Sequence, residues 1–500
     1  MEPVQKRRFS IILAVLLVLA TGLQFAAAAQ KSFWEDEAWT AATTQAGFES
    51  ILSATARDVH PPLYLVLAGA WGQVFGFNEV ALRALSILFV VLALLLTYGL
   101  AYDLFGARAA LAAVALLGFS PLFLMFGHNA RYYSMVVALA LLATLCTVRY
   151  LDSGRLPYLL VYVFSSVALL YLLFAAAAVI LACNLWWLSG WQQPRFRARL
   201  LPWLLAQVAS GLLYLPVVGI LALVLERYPE TPALSPGLLL ELLKRTLYLG
   251  FVFGVGETLS PLNPLAWLGL GVIVLVAGFA LAAHGRSRRA WLPVLFLAVI
   301  GAANILVSLN ATVAQTWQNL SYRALYALPF LAIWLGLGLA ALRPRLALAL
   351  SAVLLVVYGA GILNYFNDTH FIRPIYAVPW RAVYSMIQSQ AQPGTEVICN
   401  QADYTCAYYA RRFGFQPRSP GNWPELAAQA PTQVWWIHSN LAAAKYDEQR
   451  ETNLLQEIRQ AYPNASVYNY GLQDESIRWI KTNLMGQEDY EYRVNVFKFY

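Results

Sequence analysis

Directly after its first apolar stretch the chain carries three consecutive acids, Glu35, Asp36 and Glu37, in "SFWEDEAWT", and His60 follows in "RDVHPPLYLVL". Further along, Arg131 and Tyr132 stand in "FGHNARYYS", Glu241, Lys244, Arg245 and Glu257 fall in a later polar loop, and Arg323 stands in "SYRALY". Carboxylates in one loop and arginines in others suit a site that holds an anion while a nucleophile is deprotonated. Arginine pairs with phosphate through charge-assisted hydrogen bonds, and a carboxylate can accept the proton. Phosphate-linked group transfer needs that combination, provided the loops lie on one side of a membrane.

Composition establishes the membrane. The 500 residues are 60% hydrophobic and 12% charged, with a mean hydropathy of +0.56, against roughly 25% charged residues in soluble domains. The net charge of +8 does not point to nucleic acid as a partner, because Lys and Arg come in small clusters between apolar runs, the arrangement of a polytopic membrane protein. The N-terminus "MEPVQKRRFSIILAVLLVLATGLQFAAAAQ" has the basic start and small-residue end of a cleaved signal peptide. Its apolar stretch nevertheless reaches the roughly twenty residues of a spanning helix, so an uncleaved anchor is expected, with Lys6, Arg7 and Arg8 in the cytoplasm and "EDE" outside. Cys399 and Cys406 fall in the polar C-terminal part, where a disulfide and two unpaired thiols are both open readings.

Apolar segments are expected at 11–29, 83–102, 109–127, 134–150, 157–173, 174–190, 200–225, 263–283, 290–309, 323–341 and 346–363. A further segment, 61–76, has sixteen residues and opens with Pro61-Pro62, the length of an interfacial helix rather than a span. If it does not cross, Arg108, Arg149, Arg155, Arg195, Arg197, Arg199, Arg286, Arg288, Arg289, Arg343 and Arg345 all face the cytoplasm, as the positive-inside rule asks. Eleven spans follow, with a turn at "YLLF" (171–174) dividing 157–190. After residue 365, "EVICN", "QVWWIHS" and "RVNVFKFY" predict strands between helices. The expected organisation is a transmembrane domain over 1–364, with a long first outer loop at 30–82, and an extracytoplasmic soluble α/β domain over 365–500. The sequons at Asn310, Asn319, Asn367 and Asn464 are short enough to arise by chance.

The run "WEDEAW", "DVHPPLY", "GFNEVALRALS" and "LFGARAALAAVALLGFSPLFLMFGHNARYYS" resembles the N-terminal half of GT-C fold membrane glycosyltransferases. The resemblance is to the polyprenyl-phosphate-sugar-dependent branch, with the protein mannosyltransferases and the aminoarabinose and galacturonic acid transferases of lipid A. It covers residues 30–190 well, the later helices by pattern, and the C-terminal domain hardly at all. It implies an inverting transfer on the outer face of the plasma (inner) membrane, with a polyprenyl-phosphate sugar as donor and an acidic residue at the "DE" position as base toward the acceptor. Asp36 is the first choice and Glu37 the second. An "EDE" that is only a solvated helix end is the plain alternative.

His60 either has a direct catalytic or substrate-orienting role or closes a turn by bonding Asp58 or Asp36. Arg131, with Tyr132 assisting, either binds the donor phosphate or snorkels to the interface. Arg323 has the same two readings. Lys244 and Arg245 either coat an amphipathic loop helix against headgroups, the favoured reading, or with Glu257 belong to an acceptor or donor loop, and Glu257 is the next candidate base. Two departures from relatives stand out: "YLLF" lacks a histidine found near that turn, and "HNARYYS" lacks a second acidic motif. A divalent metal is therefore not favoured, although Asp36, Glu37 and His60 have the donor atoms for one. A transporter or flippase of a lipid-linked intermediate is the competing class, and it should keep charges near the midplane in paired repeats. A metal-dependent phosphotransferase would need more than the scattered His370, Asp403 and His438. Neither sugar nor acceptor is legible.

Overall fold

Inside a bilayer every backbone N–H and C=O must find its partner within the chain, so apolar runs of this length become helices. The computed structural model describes residues 3–56, 60–227, 237–310, 319–399, 404–439, 448–471, 475–483 and 493–500. Arg57, Asp58 and Asp403 lie outside the described residues. The chain divides into two compact units. The first comprises Met1–Ala29, Thr43–Glu257 and Asn263–Leu363, and the second comprises Gln30–Ala42, Thr258–Leu262 and Asn364–Tyr500.

The first ten α-helices are α1 (Pro3–Gln30), α2 (Glu35–Gln45), α3 (Phe48–Thr55), α4 (Leu63–Phe75), α5 (Glu79–Phe105), α6 (Ala107–Gly118), α7 (Pro121–Gly127), α8 (Tyr133–Ser153), α9 (Leu156–Leu170) and α10 (Ala177–Leu188). Later helices of the first unit include Leu200–Arg227, Leu238–Val255, Pro264–His284, Trp291–Ser308, Leu328–Ala341 and Pro344–Phe366. Among the described residues, seven helices are long and apolar enough to cross a membrane, or eight if the bent pair α6 and α7 forms one span. This is an integral membrane protein. Eleven crossings would also require the shorter apolar helices Leu156–Leu170, Phe174–Leu188 and Leu325–Ala341 to cross.

The expected segment 109–127 is broken into α6 and α7, bent by 62°. Ser120 caps α7 by accepting the Phe123 N–H at 3.4 Å, and Pro121 follows at the first helical position, where its missing N–H costs nothing. The division of 157–190 falls at the anticipated turn: α9 ends at Leu170, and a 3-10 turn over Phe174–Ala176 leads into α10. Helix α4 is 13 residues long, about 20 Å at 1.5 Å per residue, short of a hydrocarbon core of about 30 Å.

Small residues set the helix spacing in the first unit. A Cβ on Gly336 would stand 2.5 Å from the Ala109 carbonyl oxygen and 2.9 Å from the Ala113 nitrogen, so Leu328–Ala341 reaches α6 backbone to backbone, as apolar helices in lipid tend to do. One end of the bundle collects arginines. Arg149 pairs with Asp103 at 2.7 Å, Arg195 and Arg289 share Asp152 at 3.2 and 3.1 Å, and Arg199 donates to the Tyr150 carbonyl at 2.8 Å. The start of α8, at Tyr133, is about 30 Å of helix away from this end.

In the second unit a five-stranded sheet runs in the order β2-β1-β3-β5-β4. The strands are β1 (Thr395–Cys399), β2 (Pro417–Arg418), β3 (Gln433–Ser439), β4 (Ala465–Gly471) and β5 (Arg493–Phe499). Strand β1 pairs in parallel with β2 and β3, while β5 is antiparallel to both β3 and β4. Ile398, Trp436 and Phe497 align across the sheet and pack with Trp423, Leu454 and Ile458. The three predicted strands are β1, β3 and β5. Two more were not anticipated, because β2 has only two residues and β4, "ASVYNYG", mixes small and polar groups. Cys399 and Cys406 are buried free thiols, and the Cys406 carbonyl accepts the Tyr384 hydroxyl at 2.8 Å.

Candidate active site

In the first unit the His-Pro-Pro-Leu-Tyr motif is an anchored corner. The Leu63 N–H donates to the Tyr171 carbonyl at 3.2 Å, so α4 begins against the "YLLF" turn. Ser86 on α5 donates to the Arg131 carbonyl at 3.3 Å and lies 2.9 Å from the Tyr64 hydroxyl. One hydroxyl proton cannot serve both contacts, so Tyr64 donates to Ser86. Ser134 donates to the Ser86 carbonyl at 2.9 Å, and together these bonds lock α4, α5 and the start of α8 around Arg131.

His60 Nε2 lies 3.0 Å from the Tyr132 hydroxyl, with the rings 5.0 Å apart. The Arg131 side chain is held 5.6 Å from the Tyr132 ring centre, and the residue is only 5% exposed. That burial counts against an arginine merely snorkelling to the interface, which would keep its head in water. Tyr322 packs on Tyr133 at 5.0 Å and on Phe126 at 5.4 Å, so half-buried Arg323 lies one residue from a ring stacked on the Arg131 turn. His128 is buried. Its Nδ1 faces two oxygens, the Leu124 carbonyl at 2.7 Å and Gln24 Oε1 at 3.3 Å, so that nitrogen carries the proton.

Glu257 is fully buried and accepts the Tyr248 hydroxyl at 2.8 Å. Gly256 before it has φ +87°, and a Cβ there would meet Pro121 at 2.7 Å, which places Glu257 behind the start of α7. On Leu238–Val255, Glu241 pairs with Lys244 at 3.2 Å and with Arg245 at 3.4 Å. The expectation that both cations coat the helix is corrected for Arg245. Lys244 is 38% exposed in its side chain and Arg245 only 11%, and burial lowers the Arg245 pKa against the pull of Glu241.

On α5 two buried ionisable residues were missed. Arg83 donates to the Ala28 carbonyl at 3.0 Å and, like Glu79, is almost wholly buried. Their spacing of four on an apolar helix was the available signal, because charges within membrane helices are retained for function or pairing.

The acidic triplet belongs to the second unit, at the N-terminus of α2, where the helix dipole favours anions. Its approach is stapled down. The Phe33 N–H donates to the Tyr409 hydroxyl at 2.7 Å, Trp34 packs edge-on to Tyr376 at 4.9 Å, and Lys31 pairs with Asp368 at 2.6 Å. Burial lowers the Lys31 pKa and raises that of Asp368, and in each case the partner opposes the shift. Glu37 is fully buried and reaches back to the Trp34 N–H at 3.5 Å, the return contact of a capping box. Asp36 is half-buried, and its carbonyl accepts the Thr40 hydroxyl at 2.9 Å. Among the described residues no three His, Cys, Asp or Glu side chains are grouped to hold a metal ion.

Residues 59–223, which contain His60, Arg131 and Tyr132, match the sequence model of the dolichyl-phosphate-mannose-protein mannosyltransferases. The structure superposes on ArnT from Cupriavidus metallidurans bound to undecaprenyl phosphate with a TM-score of 0.54, at 13% identity, over 97% of each chain. The chain has the GT-C fold. The apo ArnT structure gives the same TM-score at 14% identity, also over 97% of each chain. A further GT-C match, the Archaeoglobus fulgidus oligosaccharyltransferase tethered to an acceptor peptide, has a TM-score of 0.50 at 12% identity, over 93% of this chain and 73% of that one. No curated protein matches the chain in sequence.

Proposed function

We propose that this GT-C protein is an inverting glycosyltransferase that moves a sugar from a polyprenyl-phosphate donor to a lipid, glycan or protein acceptor on the outer face of the membrane. The observation that carries the reading is the buried Arg131 over Tyr132, whose hydroxyl meets His60, within the segment that matches the mannosyltransferase model. An arginine removed from water by a tyrosine ring is suited to a phosphate, which returns charge-assisted hydrogen bonds for those lost. In this reading Asp36 takes the acceptor hydroxyl proton as its oxygen bonds to sugar C1. The C1–O bond to phosphate breaks with its electron pair, and Arg131 stabilises the departing polyprenyl phosphate. Arg323 is a second phosphate contact. In this reading residues 1–364 are the transferase domain in the inner membrane and 365–500 a soluble extracytoplasmic domain. A polyprenyl carrier fits a site outside the cytoplasm, where nucleotide sugars are scarce, and the chain has no Gly-rich nucleotide loop. The test is transfer by the detergent-solubilised protein with polyprenyl-phosphate sugars and with nucleotide sugars in parallel. Turnover of the lipid-linked donor is expected, and turnover of nucleotide sugar alone would refute the assignment.

A further inference from the structure

At the arginine-rich end of the first unit a cavity of about 490 Å³ opens where the ends of α1, α5, α6, Pro264–His284 and Leu328–Ala341 meet. Arg108, Arg289, His284, Ser287 and Gln5 form its polar lining, and among the described residues no carboxylate lines it. Arg289 shares Asp152 with Arg195, so one aspartate answers two arginines. Arg108 has no ion pair among the described residues. Phe9, Leu104, Phe105 and Leu337 make the rest of the wall apolar, and beside it α1 exposes Ile11, Val15 and Val18. These residues belong to the ends of the helices remote from Arg131, and the proposed transfer reaction does not use them.

We propose that this cavity binds the phosphate headgroup of an anionic membrane lipid, with its first chain carbons along the apolar wall. Cationic lining without a carboxylate selects an anion, and basic pockets between membrane helices suit lipid phosphates. The apolar half favours a lipid over free phosphate, which would leave that wall wet. Arg108 supplies a paired contact to phosphate oxygens, and loss of one such contact weakens binding roughly ten-fold.

The experiment is native mass spectrometry of the full-length protein in detergent, titrated with phosphatidylglycerol, phosphatidylcholine and inorganic phosphate. One phosphatidylglycerol should be retained in preference to phosphatidylcholine, with retention falling roughly ten-fold in Arg108→Gln and less in Arg108→Lys. Melting curves without added lipid should show both variants folded. If Arg108→Gln is misfolded, the Arg108→Lys titration decides alone. Arg286, exposed in the neighbouring turn and outside the lining, is the control. Equal loss in Arg286→Gln would mean a diffuse surface potential and overturn the site, as would equal retention of phosphatidylcholine or no change in either Arg108 variant. Displacement of the lipid by inorganic phosphate at similar concentration would overturn the lipid assignment.

Discussion

Asp36 and Glu37 are neighbours in different surroundings. Glu37 is buried and folds back on the first turn of α2, whereas Asp36 is half-buried. Asp36→Asn should therefore abolish transfer in a defined-acceptor assay while leaving expression and the melting temperature near wild type. Near-normal turnover would move the base elsewhere, with Glu257 next. Glu37→Ala should instead lower stability by about 1 kcal/mol, the scale of a lost helix cap, read as a lower melting temperature, with Glu37→Gln in between. For Arg131, a lysine keeps the charge and loses the fork. Arg131→Lys should weaken donor binding by roughly 1.5–3 kcal/mol, seen as a raised KM for the lipid-linked sugar.

At the scale of elements, two joints hold the helices and loops in register. Gly256 ends Leu238–Val255 with φ +87° and stands where a Cβ would lie 2.7 Å from Pro121. Gly256→Ala combines a disfavoured backbone with an overpacked contact and should cost on the order of 1–3 kcal/mol in thermal unfolding. The second joint is Lys31–Asp368, where the Lys31 side chain is 7% exposed and Asp368 40%. Because burial lowers the Lys31 pKa, the folded state sheds that proton at lower pH than the unfolded chain, so this contribution to stability rises with pH between the two values. The raised Asp368 pKa acts oppositely, its contribution falling as pH rises from the ordinary carboxylate value through the raised one. Asp368→Asn removes the carboxylate and lowers the Lys31 pKa further. The variant should be less stable at neutral pH by on the order of 1 kcal/mol, Asp368 being partly exposed. Its melting temperature should then climb more steeply than wild type as pH rises toward the ordinary lysine value of 10.5.

For the molecule as a whole, the proposed orientation puts the arginine-rich end of the bundle in the cytoplasm and the region after 365 outside. Gly421 and Arg197 are both exposed, and all four native cysteines are buried, so single introduced cysteines can report on each side. Gly421→Cys should label with an impermeant maleimide on intact cells and Arg197→Cys only after permeabilisation. The reverse pattern would overturn the orientation and, with it, an outer-face reaction.

Membrane residence, the broken hydrophobic run at 171–174 and strands β1, β3 and β5 were legible because apolar runs, turn signals and alternation act over neighbouring residues. The His60, Arg131 and Tyr132 cluster was legible as a motif only, since spacing along the chain says nothing about which side chains meet. Tertiary structure decided that Tyr132 meets His60, and that Arg245 is buried while Lys244 is not. It also showed that Glu37 turns back on its own helix, that β4 completes the sheet, and that 109–127 bends at Ser120-Pro121. The Glu37 contact and the Ser120-Pro121 break are made within three residues, whereas the His60–Tyr132 contact, the burial of Arg245 and the pairing of β4 depend on packing against residues far along the chain. The amphipathic cavity beside Arg108 is of the same kind, for the ends of five helices must meet before it exists.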